Sequence, residues 1–329
     1  SLNQMSNLEL PALEEITGSM NLSNHSTLEN FSAPNLRELG SSLTIRDNSD
    51  LRTVDLSSLE CIDDFTIVGN DLTIDSHHAL LLALTCASDG SLIIFRDTDA
   101  DTFCASGETV VNDLYISPID SAPVDVSCIT EITGQVEIEF SQATAIDISN
   151  AVSIADGLNI HDNYDTATID FTSLTSVGES FQLHTNRDLE TLVLTSLDTI
   201  GGQLSLNSNN SLADLSAPSL TLIEGDLRFY SNSGIETISF ASLETIEGQF
   251  RFEYNHYVES LSLPAVTEIE GQLYMYSNDR LETILFTSLA EVSSYVDIQN
   301  NYQVDTIDFS SLHTVNGYLQ LYSMNQVDH

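Results

Sequence analysis

Lysine and tryptophan are missing from all 329 residues, and the 8 basic side chains are all arginine. Against them stand 50 Asp and Glu, for a formal charge of −42. A field this negative argues against nucleic acid, phosphate clusters and anionic lipid headgroups as partners. No apolar run approaches the roughly 18–20 residues that a membrane-crossing helix needs, so no membrane insertion is expected. The chain opens on Ser1 without a signal-peptide pattern, as expected of a mature or internal fragment. G-x-S-x-G, H-E-x-x-H and P-loop motifs are all lacking. Acids are so abundant that a pair of carboxylates carries no signal for glycosidase chemistry. No catalytic residue is therefore assigned, and an enzyme is not expected. Hydrophobic residues are not scarce. At 41% they suffice for a large core and argue against a disordered acidic tail.

A repeat organises those residues. Apolar-x-apolar pairs begin at Met20, Leu43, Phe65, Leu92, Leu114, Val136, Leu158, Phe181, Leu204, Leu227, Phe250, Leu273, Val296 and Leu319, which makes 14 coils. The steps are 23, 22, 27, 22, 22 and 22, and then 23 seven times. Within a coil, apolar and polar residues alternate in bursts of two or three, the signature of short strands with one inward face. Helical spacing is not sustained. The prediction is an all-β fold, a right-handed parallel β-solenoid of about 14 coils with a 22–23-residue repeat and one short helical insertion. At about 4.8 Å per coil it would form a rod on the order of 65–70 Å long.

Two columns mark the corners. Three residues past each strand pair lies Asn48, Asn70, Asn163, Asn186, Asn209, Asn232, Asn255, Asn278 or Asn301, with Asp97 at the same place in the 27-residue coil. Asn tolerates left-handed backbone, and stacked amides can bond one another along the axis. A second column holds small residues, among them Ser173, Ser196, Ser219, Ser242 and Ala265. Runs such as Gly248-Gln-Phe-Arg-Phe252, Asn255 and Val258-Glu-Ser-Leu261-Ser-Leu263-Pro-Ala-Val266-Thr-Glu-Ile269 resemble the receptor L-domain. This is the leucine-rich-repeat-like solenoid of cell-surface receptors and fungal GPI-anchored wall proteins. The resemblance spans nearly the whole chain and implies a fold far more than a ligand. The uninterrupted array departs from receptor L-domains, which are shorter and capped.

The chain is expected to form one continuous solenoid over 1–329, with first coils at 5–75, an irregular part at 76–128 and regular coils at 129–329. Both ends fall mid-repeat, which suggests omitted neighbouring sequence or contacts between protomers. In the irregular part, Ser76–Thr85 is rich in Ala and Leu and predicts a short helix. Cys61, Cys86, Cys104 and Cys128 lie around it. Of three pairings, Cys61–Cys86 and Cys104–Cys128 are favoured because each pair brackets about one coil. Zinc is the rival, but spacings of 25, 18 and 24 contain no C-x-x-C. Disulfides imply an oxidising, extracellular setting. Sequons at Asn21, Asn24, Asn30 and Asn209 agree with secretion. Glycan is expected at the first three, since Asn209 belongs to the corner column.

Few side chains suggest chemistry. Asp97, Asp99 and Asp101, with Glu108, resemble a calcium loop, but Thr102 stands where an EF-hand needs glycine. They are weak candidates for a loosely bound Ca2+; no other cofactor is expected. Glu190, Glu236, Glu259, Glu282 and Asp305 recur at ladder spacing, where like charges repel and divalent cations would relieve them. His161 and His184 occupy equivalent positions in adjacent coils, but the next coil offers Asn207 and no third metal ligand. The most informative set is aromatic. Tyr230, Tyr274, Tyr276, Tyr295, Tyr318 and Tyr322 take outward positions beside Arg228 and Arg251, in the C-terminal half only. Tyrosine suits strands, but it is also enriched at interfaces and stacks on sugars. The expected function is that of a non-enzymatic, secreted, glycosylated repeat protein of a cell-surface layer, wall or extracellular filament. It would assemble with itself or with other extracellular repeats through its ends or the tyrosine face. The alternative is a receptor or adhesin ectodomain that recognises protein or glycan.

Overall fold

The computed structural model describes residues 5–46, 48–59, 65–68, 92–94, 97–118 and 121–324. Stacked parallel strands form a β-solenoid of about 12 turns with almost no helix. All fourteen predicted starts, from Met20 to Leu319, open a strand. The chain divides into two compact units, Ser1–Ile93 and Ile94–His329.

In the first unit, Asn7–Glu9, Asn30–Ser32 and Thr53–Asp55 form one parallel sheet, and Met20–Ser23, Leu43–Arg46 and Phe65–Val68 form another. Glu15–Ile16 pairs with Glu38–Leu39. Leu28, Phe31, Leu36, Leu43, Ile45 and Leu51 fill the space between.

The second unit repeats a clearer version of this turn. One coil runs through a four-residue strand, Leu204–Asn207, a three-residue strand, Asp214–Ser216, and a two-residue strand, Leu222–Ile223. Leu204, Leu206, Leu212, Leu215, Ala217, Leu220 and Ile223 point inward and are buried. Burial of a Leu or Ile side chain contributes about 1.5–3 kcal/mol, so every coil brings its own share of core. The three-residue strand Leu114–Ile116 and the four-residue strands from Val136–Glu139 to Leu319–Tyr322 stack in register into one parallel sheet. The alternation places residues one and three inward and residues two and four outward. Two-residue strands from Val110–Val111 to Thr314–Val315 make a second sheet. The three-residue strands break into smaller sheets on the third side.

The backbones approach closely between the coils. A Cβ on Gly201 would lie 2.1 Å from the Gly178 carbonyl oxygen, and one on Gly178 would lie 1.9 Å from that of Ala155. No side chain fits there.

The asparagine column is the spine of the fold: its stacked amides bond one another along the axis as expected, as from Asn186 Nδ2 to Asn209 Oδ1 at 3.0 Å, but the left-handed backbone lies one residue earlier than expected. The left-handed residue is not the asparagine but its predecessor: Asp162, Thr185, Ser208, Ser231, Tyr254, Ser277 and Asn300 have φ between 53° and 59°. That conformation turns the chain inward and buries the asparagine side chain. Asn163, Asn186, Asn209, Asn232, Asn278 and Asn301 are fully buried, and Asn255 nearly so. Asn163 Oδ1 accepts the backbone N–H of Ser141, and each later Oδ1 that of the asparagine one coil earlier, as when Asn186 N donates to Asn209 at 3.2 Å. Each Nδ2 donates to a strand carbonyl of the preceding coil, as from Asn209 to Leu183 at 2.9 Å. In the first unit Asn48 does the same with His25 N and Leu22 O. Asn70 lies outside the described residues.

One helix is described, Asp97–Ser106, where the sequence reading placed a corner and an acidic loop. Asp97, Asp99 and Asp101 sit in its first turns, where acids favour the N-terminal end of the dipole. Ala100 is buried, and Gly107, at φ 80°, ends the helix in a left-handed cap. The helix expected over 76–85 lies outside the described residues, as do Cys61 and Cys86.

Candidate functional site

The outward positions of the four-residue strands carry most of the tyrosine set. Adjacent columns read Arg228, Arg251, Tyr274, Asp297, Gln320 and Tyr230, Glu253, Tyr276, Gln299, Tyr322. Tyr295 and Tyr318 stand just before their strands. The rings form packed groups. Tyr254 lies edge-on to Tyr230 at 5.5 Å and to Tyr276 at 5.4 Å. Tyr276 is parallel to Tyr274 at 6.3 Å, and Tyr295 stacks on Tyr318 at 4.6 Å. Tyr254 and its edge-on neighbour His256 were missed by the sequence reading. Tyr254 precedes a column asparagine, and its left-handed backbone carries its ring onto the sheet of the four-residue strands.

Charges on this face are largely matched locally. The Arg251 guanidinium stacks on Tyr274 at 5.1 Å and pairs with Glu253 at 2.7 Å. Arg228 pairs with Asp226. Asp297 is the exception. It is only 6% exposed, its Oδ2 takes Gln299 Nε2 at 2.9 Å, and its Oδ1 is buried without a hydrogen-bond partner. Desolvation raises the pKa of Tyr254, Tyr274 and Tyr318, and Asp297 raises those of Tyr274 and Tyr318 further. The hydroxyls therefore stay protonated as donors. Tyr230, Tyr318 and Tyr322 are the more exposed members.

The other predicted residues are more dispersed. Cys104 and Cys128 form a disulfide with Cα atoms 5.6 Å apart, tying the helix to the turn after Val124–Asp125. Asn21 and Asn24 are exposed, whereas the Asn30 amide already donates to Asn7 at 2.7 Å. Asn209 is buried in the ladder. Asp101 is exposed on the helix; the side chains of Asp97 and Asp99 are not described. Glu190, Glu236, Glu259, Glu282 and Asp305 form an exposed stripe. No described helix is long and apolar enough to cross a membrane.

The histidine pair has neighbours that the sequence reading did not find. It sought a third ligand in the following coil, but the structure supplies acids from the preceding one. His161 Nε2 lies 2.5 Å from Glu137 and 3.6 Å from Glu139, and Nδ1 lies 3.1 Å from Asp162. The bond to Glu137 is the main cause that raises the His161 pKa to about 9. Burial pushes Glu139 up to about 7. Burial, then the positive charge on His161, lowers His184.

No protein-family model matches the chain, and no curated protein matches its sequence.

Proposed function

We propose that this chain is a non-catalytic, secreted repeat protein of a cell-surface layer, wall or extracellular filament. Its tyrosine face meets another extracellular repeat, its own kind included. The observation that carries this reading is the face itself. Rings packed against one another on a rigid sheet lose little freedom on binding, and tyrosine presents apolar area with a polar tip. The Cys104–Cys128 bond and the exposed Asn21 and Asn24 sequons support secretion and glycosylation. The resemblance to the receptor L-domain points the same way.

One observation favours a glycan-binding ectodomain as the second reading. The nearly buried Asp297 carboxylate lies among tyrosines, as an acceptor for a hydroxyl beside rings that stack on sugars would. Sedimentation velocity of the wild type and of Tyr274→Ala plus Tyr276→Ala distinguishes the two. Concentration-dependent association lost in the variant supports assembly. A monodisperse wild type that retains a glycan on an array, with the variant blank, supports the ectodomain. A monodisperse wild type with a blank array refutes both.

A further inference from the structure

We propose that Glu137, Glu139 and His161 form a binding site for one first-row divalent metal ion of the Zn2+ or Mn2+ class. Glu137 and Glu139 are alternate residues of strand Val136–Glu139, so both point outward. His161 lies directly opposite Glu139 on the next coil. One donor atom from each of the three residues lies within 4.8 Å of the others, and all three side chains are half-buried. The array builds this convergence from residues 22 to 24 positions apart.

The surroundings prepare the imidazole as a ligand. Asp162 takes Nδ1 at 3.1 Å, which holds a proton there, so that a cation displacing the Nε2 proton would meet a lone pair aimed at the two glutamates. Asp162 is itself held, by a left-handed backbone with φ 54° and by the Tyr164 hydroxyl, which donates to its other oxygen at 3.1 Å. Arg187 covers the Tyr164 ring at 5.2 Å. A carboxylate behind a histidine is the arrangement that orients metal-bound imidazoles. On the other side, Asn159 donates to Glu137 at 2.9 Å, while its own Oδ1 is buried without a partner. That is a neutral oxygen donor on a side chain that already touches the site.

A plain ion pair explains less. Protonated His161 would satisfy Glu137, but Glu139 makes no hydrogen bond to a described residue, and its Oε2 lies 3.6 Å from the ring nitrogen. Three carboxylates face one imidazolium, an excess of negative charge that a divalent ion would relieve. Imidazole among the donors selects against Ca2+ and Mg2+, and two carboxylates without thiolate fit Zn2+, Mn2+ or Co2+.

The test is calorimetric titration of the full, chelator-stripped chain with Zn2+, and separately Mn2+, at about 0.15 M salt, which screens diffuse binding to exposed acids. One saturable site is expected, lost in His161→Gln and in Glu139→Gln, and weakened about 10–100-fold in Asp162→Asn. Glu139→Gln removes no hydrogen bond to a described residue, so it reports binding even if His161→Gln folds poorly. Added Co2+ should give visible bands that shift between wild type and Asp162→Asn. No saturable binding, or titrations of Glu139→Gln that superimpose on the wild type, would overturn the site.

Discussion

Replacing Asn232 with alanine tests whether the asparagine ladder holds the coils together. Asn232 Oδ1 accepts from Asn209 N at 3.1 Å and from Asn209 Nδ2 at 3.2 Å. Its Nδ2 donates to Leu206 O at 3.0 Å and to Asn255 Oδ1 at 3.2 Å. Alanine deletes all four bonds; Asn255 Oδ1 keeps the backbone N–H of residue 232, but the Asn209 N–H, one hydrogen of the Asn209 amide and the Leu206 carbonyl each lose a buried partner. Each stranded group costs about 1–3 kcal/mol. An entering water relieves part of this, and a net loss of about 3–5 kcal/mol is expected. Asn210→Ala, on the exposed neighbour, should stay within about 0.5 kcal/mol of the wild type. Coils of an array can open separately, so a global melt is not the best probe. Hydrogen exchange should show the Asn209 amide losing protection in Asn232→Ala, together with amides in the flanking coils. Asn232→Asp sharpens the test. It keeps the volume but turns a charged acceptor toward Leu206 O and Asn255 Oδ1. It should be worse than alanine at pH 7 and recover partly at pH 4, where the protonated acid can donate. A loss below about 1 kcal/mol in Asn232→Ala, with Asn209 still protected, would refute the reasoning.

Three further outcomes are expected. Gly201→Ala forces a methyl against the Gly178 carbonyl oxygen and should cost at least about 1–3 kcal/mol by denaturant unfolding, whereas the same change at Gly18, whose Cβ would meet nothing within 4 Å, should be mild. Cys104→Ser plus Cys128→Ser opens a link between residues 24 apart and should lower stability by about 3 kcal/mol, with little effect on the far coils by exchange. In metal-free protein, His161 has a folded pKa of about 9, above the unfolded value near 6.5, so its stabilisation is complete below about pH 6.5 and lost as pH rises through 9. Glu139, raised to about 7, adds a penalty that grows from about pH 4.5 to 7, so both groups weaken the fold as pH rises. His161→Gln should therefore lower the melting temperature more at pH 6 than at pH 10; an equal loss at both would contradict this.

The fold was legible because a parallel array writes each coil in the same register. Leu204 and Leu227 pair across coils as surely as they align in sequence, so period 2 within a coil and period 23 between coils locate every four-residue strand. The exceptions lie where that repetition fails. The stretch around Asp97 matches the asparagine column by count alone. Acids at a helix start, Ala100 and the Gly107 stop instead make Asp97–Ser106 a helix. Local chemistry overrode alignment there, and counting positions could not show it.

The surface was legible only in part, for a different reason. Column position shows that Tyr274 and Tyr276 face outward, but not which neighbour each ring meets. Tyr254 belongs to the corner series with Ser208 and Thr185, and only its left-handed backbone explains why its ring reaches Tyr230 and Tyr276. His161 shows the same limit. Searching along its column in one direction finds His184 and then Asn207, whereas its strongest contacts are Glu137, a diagonal step on the preceding coil, and Asp162, its own neighbour. In a solenoid, diagonal and corner contacts join residues that share no column. A sequence signal for them does exist: an outward glutamate pair on one strand, a histidine opposite the second glutamate on the next, and an acid at the left-handed corner beside that histidine. Of the strand–corner units between Val136 and Gln299, only the one joining Val136–Glu139 to Leu158–His161 carries all of these. That singularity is what separates Glu137, Glu139 and His161 from the exposed acid stripe, where no histidine among the described residues pairs with Glu236, Glu259 or Glu282.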